Sequence, residues 1–405
     1  VERSRTVQIA IILAFLVIIF GEGIVQAVVE IRHGERPQVV DLFTRAPSEA
    51  NLRSFEDRLE KQAWAAKALR PVMQSLRFAA YGDLGEKGLA GRDGWLFYRP
   101  GVDFLIEPWP GDAAQAPDDG DPLTAIVAFR DALAERGIAL LVVPAPGKAS
   151  VYPNRLSGRV ARTGSDTHGH TRTDTDGHGP TRLHAGRPGH TRTFMNRLDE
   201  AGVAYVDLFA MFDAARLIEG TPPLYLAQDT HWSPEGLRLA AKMVSERVLG
   251  EGWIDRGTST FEERTVTVKR DGDVLRMMDS PRIAESFEPE TLVCTQVMNP
   301  ETGEPYEDDP ASPVLVLGDS FLRIYQHDEP GSAGFVAHLA RELQRPVASI
   351  VNDGGASTLV RQELQRKPEL LKGKKLVIWE FVERDLRFGM EGWQIVSLPP
   401  VEPSA

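Results

Sequence analysis

Ser320 lies in VLVLGDSFLRIYQ (residues 314–326), where four apolar residues run into Gly-Asp-Ser and then into a helix-like segment. A serine at such a strand-to-helix turn has its own backbone N–H and its neighbours' free to face an anion. Its hydroxyl becomes a nucleophile only beside a base. Outside one histidine-rich stretch the histidines are His33, His231, His327 and His338, and only His231 stands in a loop between a carboxylate and an aromatic, YLAQDTHWSPEG (225–236). Asp229, two residues ahead, can fix the imidazole tautomer and stabilise the imidazolium that forms when the serine gives up its proton. Singly, each has a plainer use: Gly-Asp-Ser as a helix cap, Asp229 as a turn cap, His231 as a packed loop residue. Jointly, Ser320, His231 and Asp229 supply nucleophile, base and orienter for acyl transfer, in the chain order Asp, His, Ser.

Acyl transfer also needs donors aimed at the developing oxyanion. The Ser320 N–H is one candidate. VNDGGAS (351–357), directly after an apolar run, offers Asn352 and the backbone of Gly354 and Gly355, although turn formation accounts for the same residues. Lys148 and Arg384, near the ends of other apolar runs, are further candidates for substrate contact, against the commoner fates of surface lysine and helix-start arginine.

These residues require a scaffold that gathers strand ends. Continuous apolar runs at Ile138–Val143, Val203–Leu208, Val314–Leu317, Val347–Val351 and Leu376–Phe381 read as buried strands. Helical periodicity covers Leu123–Ala134, Pro234–Val248, Gly334–Leu343 and Thr358–Leu371. Short apolar strands alternating with amphipathic helices predict an α/β fold with a mostly parallel sheet covered on both faces, and function at the strands' carboxyl ends. Ser233-Pro234-Glu235 marks a helix start that anchors the His231 loop. GRDGWLFYRPG (91–101) predicts a turn at Gly94 and a short strand, and Asp271-Gly272 a hairpin turn within an insertion at 256–310.

The chain has 405 residues, 42% hydrophobic and 26% charged, with 46 basic and 58 acidic residues giving a net charge of −12. It is long enough for one large domain or two smaller ones, and without a basic run it carries no nucleic-acid footprint. The single cysteine, Cys294, has no partner for an internal disulfide. Residues 163–193 repeat a Gly/His/Pro-Thr-Arg theme and hold His168, His170, His178, His184 and His190. Lacking fixed ligand spacing, this stretch reads as a disordered low-complexity insert and not a metal site. At the N-terminus, Arg3 and Arg5 precede the apolar run Ile9–Phe20, and residues 7–29 together have the length of a membrane helix at the cost of Glu22 and Gln26. The arginines favour an N-terminus inside and a body outside; a cleaved signal peptide, using Val25 and Ala27, is the rival. The expected organisation is an anchor or signal segment at 1–29, a helical stem at 30–85 kinked or broken at Pro71, and a catalytic domain at 86–395.

GDSF (318–321) resembles the serine block of the SGNH hydrolase superfamily, and DTHWS (229–233) its Asp/His block. With the Asp/His block ahead of the serine, and with GRDGWLFY (91–98), VVPAPGKASVYP (142–153) and VIWEFVERDL (377–386), the chain resembles the circularly permuted domains of alginate O-acetyltransferases of the AlgJ/AlgX type. The AlgJ branch fits better, since little chain follows the last strand. The resemblance implies an SGNH hydrolase-like three-layer sandwich behind an N-terminal membrane helix and stem. It implies a periplasmic enzyme, held at the inner membrane, that moves acetyl through an acetyl-serine at Ser320 onto hydroxyls of an exopolysaccharide. It implies further that Asp229 and His231 share the catalysis and that a membrane-bound acyltransferase supplies the acetyl group. No motif for a nucleotide, metal or acyl-carrier cofactor is visible. The acidic balance does not obviously suit a polyanionic polymer. A carbohydrate acetylesterase, in which water attacks instead of sugar, and a non-catalytic polysaccharide-binding component of an export complex are the alternatives.

Overall fold

A computed structural model of the chain describes residues 2–40, 44, 48–62, 64–81, 83–107, 120–157, 189–278 and 281–399. The chain divides into two compact units, one of Val1–Gly85 with Met278–Phe287, the other of Glu86–Met277 with Glu288–Ala405. In the first, the apolar N-terminal run lies within a helix, Glu2–Arg32, that exposes Val7, Ile9, Ile11, Ile12, Leu13 and Phe15 and buries Gln26 and Glu30, with Gln26 Nε2 donating to Glu30 Oε1 at 2.8 Å. Among the described residues no helix is long and apolar enough to cross a membrane, so the expected spanning segment is observed as a helix and no more. The amphipathic stretch after it forms two helices, Glu49–Gln62 and Trp64–Tyr81. The second runs unbroken through Pro71, against expectation: it gives up the one N–H bond that the ring cannot donate, and the turns on either side continue.

The second unit is built on β-strands. A small antiparallel pair, β1 (Gly88–Ala90) and β2 (Leu96–Tyr98), closes through the turn at Gly94, whose φ of +77° suits a residue without Cβ. The main sheet holds β3 (Ala139–Ala145). A nine-residue antiparallel pair, β4 (Glu262–Arg270) and β5 (Glu290–Met298), comes next in the chain. The main sheet is completed by β6 (Val314–Gly318), β7 (Ala348–Val351) and β8 (Leu376–Val382), in the parallel order β3-β8-β6-β7. Alternate residues of each strand feed different cores, as a period of two requires. Leu141, Val143, Val314, Val316, Leu376 and Ile378 join one core with the helices Pro234–Gly250 and Phe335–Leu343. Leu140, Val142, Leu315, Leu317, Val377 and Trp379 join the other with the helices Pro122–Ala134, Gly189–Glu200 and Leu359–Arg366. The sheet is thus covered on both faces, which explains why its strands read as continuous apolar runs.

Four expectations are corrected. Val203–Leu208 makes a single parallel bridge, Tyr205 to Val142, because Asp207 caps the helix Leu208–Ala215 before a second can form. The helix expected over Thr358–Leu371 ends at Arg366, and a 3₁₀ turn begins at Pro368. Asp271-Gly272 makes no two-residue hairpin: β4 and β5 pair across a long excursion holding the short helices Asp273–Arg276 and Pro281–Ala284. Of the histidine-rich insert, 163–188 lie outside the described residues, but its last residues open the helix Gly189–Glu200, where Thr191 is buried and donates to Glu383 Oε2 at 2.9 Å.

Ser233 starts the helix that carries the His231 loop into the core: its Oγ accepts from Gly236 N at 3.2 Å and donates to Pro223 O at 2.5 Å. Ser233→Ala is expected to cost about 1–2 kcal/mol, the worth of a cap plus a carbonyl left unsatisfied. It would be read as a lower denaturant midpoint at constant slope.

Candidate active site

Ser320 begins the short helix Ser320–Arg323 at the carboxyl end of β6, a central strand. Gly318, the last strand residue, has no room for a Cβ, which would lie 2.5 Å from Leu322 Cδ1 and 2.6 Å from Glu380 Oε2. Asp319 then caps the turn, its side chain accepting from Phe321 N at 2.8 Å. His231 reaches Ser320 from the other side: Nε2 lies 2.8 Å from Ser320 Oγ. Two contacts hold its loop against the serine turn, the His231 ring at 4.9 Å from Phe321 and Trp232 Nε1 donating to Phe321 O at 3.1 Å.

Asp229 is fully buried and fully bonded. Its Oδ1 meets His231 Nδ1 at 2.6 Å and accepts from His231 N at 3.0 Å; its Oδ2 accepts from Arg270 Nε and Asp273 N, each at 3.1 Å. Burial alone would raise its pKa, but the imidazole's charge and hydrogen bond, with Arg270, outweigh it and hold the carboxyl well below the usual range. For His231 burial pulls down, while Asp229 by charge and hydrogen bond, then Asp273 and Asp319, push harder and leave its pKa above the ordinary imidazole value. Nδ1 therefore keeps its proton on the Asp229 side and Nε2 is left to exchange one with Ser320.

Asp273 was not expected from the sequence, nor was Arg270. Asp273 takes Thr230 N at 2.7 Å and the Thr230 hydroxyl, and its Oδ2 lies 3.5 Å from His231 Nδ1. Asp229, His231 and Asp273 offer ligand atoms within 4.8 Å of one another, the spacing of a metal site. The donors already on those oxygens, above all the Arg270 guanidinium, fit a charge-paired cluster better than a dication. Nothing in the local sequence marked Arg270 or Asp273, which stand about forty residues from the His231 loop in an ordinary run of alternating charge.

The remaining sequence candidates separate. Lys148 is buried over the rings of Trp95 and Phe97, and its Nζ donates to Leu96 O at 2.5 Å, Ala227 O at 2.7 Å and Asp229 O at 3.0 Å. All its donors are spent in tying β2 to the His231 loop, although burial pulls its pKa down to about 7 against Glu290, Asp229 and Asp273. Asn352 follows β7, with its N–H donating to Gly318 O at 3.0 Å, beside the serine turn. Among the described residues neither its carboxamide nor the Ser320 N–H has a hydrogen-bond partner. Gly354, at φ +67°, serves the turn that follows. Arg384, just past β8, stacks over Tyr98 at 5.3 Å and Phe321 at 5.9 Å and lines a small cavity with Thr230 and Glu383.

Behind Ser320 lie the buried acids Asp319, Glu380, Glu383 and Asp385. Burial raises the pKa of each, to about 7 for Glu383 and Asp385, and Arg384 supplies an opposing positive charge to all of them. Asp319 Oδ2, Glu380 Oε1 and Asp385 Oδ2 have no hydrogen-bond partner among the described residues. On the outer side of the serine helix a polar groove of about 700 Å³ is lined by Glu307, Asp308, Arg323, His327, Asn352 and Asp353, among others.

The chain resembles known proteins over most of this unit. The family described as SGNH hydrolase-like domain, acetyltransferase AlgX, matches residues 89–383. The probable alginate O-acetylase AlgJ of Pseudomonas putida is 25% identical over 398 residues, 95% of this chain and 90% of that protein. Its counterpart in Pseudomonas syringae pv. tomato is 23% identical over 337 residues, 81% and 74% of the two chains. The solved O-acetyltransferase domain of Pseudomonas putida AlgJ superposes with a TM-score of 0.54 at 25% identity, covering 74% of this chain and 91% of that one.

The buried acids predict a pH-dependent stability. Because the folded pKa of Asp385 and Glu383 is raised to about 7, their contribution is fully present below the unfolded carboxylate pKa and lost as pH rises through about 7. The melting temperature should fall from about pH 4 to about pH 7 and level off above, and Asp385→Asn should flatten that slope, as thermal scans across the range will measure.

Proposed function

The chain belongs to the family of SGNH hydrolase-like acetyltransferase domains of the AlgX type, and from that premise we propose that it is a polysaccharide O-acetyltransferase working through Ser320, His231 and Asp229. The observation that carries the proposal is the continuous hydrogen-bonded path from Ser320 Oγ through His231 to a saturated, ionised Asp229. In the first half-reaction His231 Nε2 takes the Ser320 proton as Oγ attacks the carbonyl carbon of an acetyl ester. The imidazolium returns that proton to the departing alkoxide, leaving acetyl-serine. In the second, Nε2 takes the proton of a sugar hydroxyl, whose oxygen attacks the acetyl-serine carbonyl; Ser320 leaves and is reprotonated. The Ser320 N–H and the Asn352 carboxamide, both unengaged beside the turn, are the donors proposed for the oxyanion.

The curated relatives are named for alginate, and the acceptor proposed here is likewise an exopolysaccharide. The polar groove beside Asn352 has the size for sugar units, and its acids Glu307, Asp308 and Asp353 suit hydroxyl donors better than a run of carboxylates. The acetyl donor on this reading is a membrane-bound acyltransferase, with the helix Glu2–Arg32 and its exposed apolar side chains holding the catalytic body outside the cytoplasm and near the inner membrane.

Intact-mass analysis after incubation with para-nitrophenyl acetate tests the first half-reaction. The parent should gain one acetyl group on Ser320, Ser320→Ala none, and His231→Ala should acylate more slowly by about 10³-fold or more. Equal ester turnover in all three proteins would sink the enzymatic reading in favour of polymer binding alone. Transfer of the acetyl group to an added oligosaccharide, exceeding loss to water, would separate transferase from esterase.

A further inference from the structure

The geometry points to Arg270 as a positioning residue that straps the base loop to the nucleophile segment and sets the charge balance on Asp229. The inference rests on the proposed roles of Ser320, His231 and Asp229. Arg270 ends β4, so its backbone is fixed by the nine-residue pairing with β5. From there one guanidinium serves two carboxylates: Nε donates to Asp229 Oδ2 at 3.1 Å, and its far nitrogen donates to Asp328 Oδ2 at 3.2 Å. Asp328 follows the serine helix and is also held by Arg323, on the last turn of that helix, which reaches Asp353 beyond β7 at 2.8 Å. The guanidinium plane, 5.7 Å above the Tyr325 ring, is thereby kept from swinging away. His231 and Ser320 are thus joined twice, once by their own hydrogen bond and once around the outside through Asp229, Arg270 and Asp328.

The turn after Arg270 presses the same way. A Cβ on Gly272 would lie 1.9 Å from Gln228 O, so this turn packs backbone to backbone on the loop that leads into Asp229. The next residue, Asp273, then donates its N–H to Asp229, and its carboxylate accepts from Thr230 N. Half of the donors that saturate Asp229 therefore come from residues 270–273, at the end of β4 and the turn after it, which take no part in the main sheet. The charged groups facing Asp229 and His231 are Arg270 from β4, Asp273 from the turn after it, Lys148 from the segment after β3 and Asp319 from the segment after β6; the Tyr325 phenol, kept neutral, also faces Asp229.

Arg270→Gln removes a positive charge from the Asp229 side, so His231 should hold its proton more tightly. Because the base acts only when neutral, the acid limb of the pH profile for esterolysis of para-nitrophenyl acetate should move to higher pH. Its kcat should fall about 10- to 100-fold with KM little changed, the size of one charge-assisted hydrogen bond expressed in the transition state. Arg270→Lys keeps the charge but cannot span both carboxylates, so it should restore the acid limb without restoring kcat. Asp328→Asn leaves the Asp229 pair in place and frees the strap's other end. It should lower kcat with little movement of the limb, and it stands in for Arg270→Gln if that variant does not fold. Parent-like kcat in Arg270→Gln, or a kcat loss with an unmoved limb that Arg270→Lys repairs in full, would overturn the assignment. In Asp328→Asn a parent-like kcat would do the same. Ser320→Ala run alongside keeps the two questions apart: turnover surviving in it would sink the serine mechanism itself, whereas turnover lost there and kept in Arg270→Gln sinks only the strap.

Discussion

A carboxylate buried without water is tolerable only when its lone pairs are filled, and Asp229 meets that condition with two donors on each oxygen. Much of the site's construction follows from this one requirement. Two donors, the backbone and ring of His231, come from the loop itself; the other two come from the end of β4 and the turn after it. The loop is fixed in turn by Lys148 beneath its carbonyls and by Ser233 at the start of the following helix. An imidazole between a saturated carboxylate and a serine hydroxyl has little freedom left, and that restriction keeps its Nε2 aimed at Ser320 Oγ.

The sheet supplies the complementary half. In the order β3-β8-β6-β7 Ser320 leaves a central strand, so the ends of its neighbours surround it: Arg384 follows β8 on one side and Asn352 follows β7 on the other. The base loop and the β4–β5 excursion lie outside this main sheet and close on Ser320 through Phe321, Trp232 and Asp328. The serine turn is therefore common to two assemblies, one of strand ends and one of loops.

What the sequence disclosed and what it withheld divide along range. Ser320 was legible because an apolar strand and a turn are adjacent in the chain, and Asp229 with His231 because two residues of separation nearly guarantee contact. The strands β3, β6, β7 and β8 were legible because burial on both faces leaves no polar alternation to confuse them. Arg270 and Asp273 were not, since only the long β4–β5 pairing carries them to Asp229, and charge alternation along a strand looks the same whether it meets solvent or a buried carboxylate. The burial of Lys148 was hidden for a related reason: a lysine after a Pro-Gly turn looks exposed until the carbonyls of two distant segments converge on it. The segment around Tyr205 shows the opposite failure, an apolar run with strand composition that makes one bridge before Asp207 caps the helix that follows.

Asp229 and Glu380, both fully buried on either side of Ser320, are pushed in opposite directions, and the partners each one has account for the difference. Asp229 has four donors, the Arg270 guanidinium among them, and stays charged. Glu380, equally buried, has one donor, Asp319 N at 3.4 Å on Oε2, and none on Oε1, so burial and the neighbouring Asp319 push its pKa far up. Negative charge is thus held on Asp229, where it stabilises an imidazolium, and suppressed on Glu380 behind Ser320, where it would oppose the oxyanion of the proposed acyl transfer. Arg384 reinforces the asymmetry by facing the acids behind the serine while resting on Phe321. Environments that drive like groups to unlike charge are how a site assigns roles to residues of one type, and here the division falls across the serine on which the chemistry is proposed to occur.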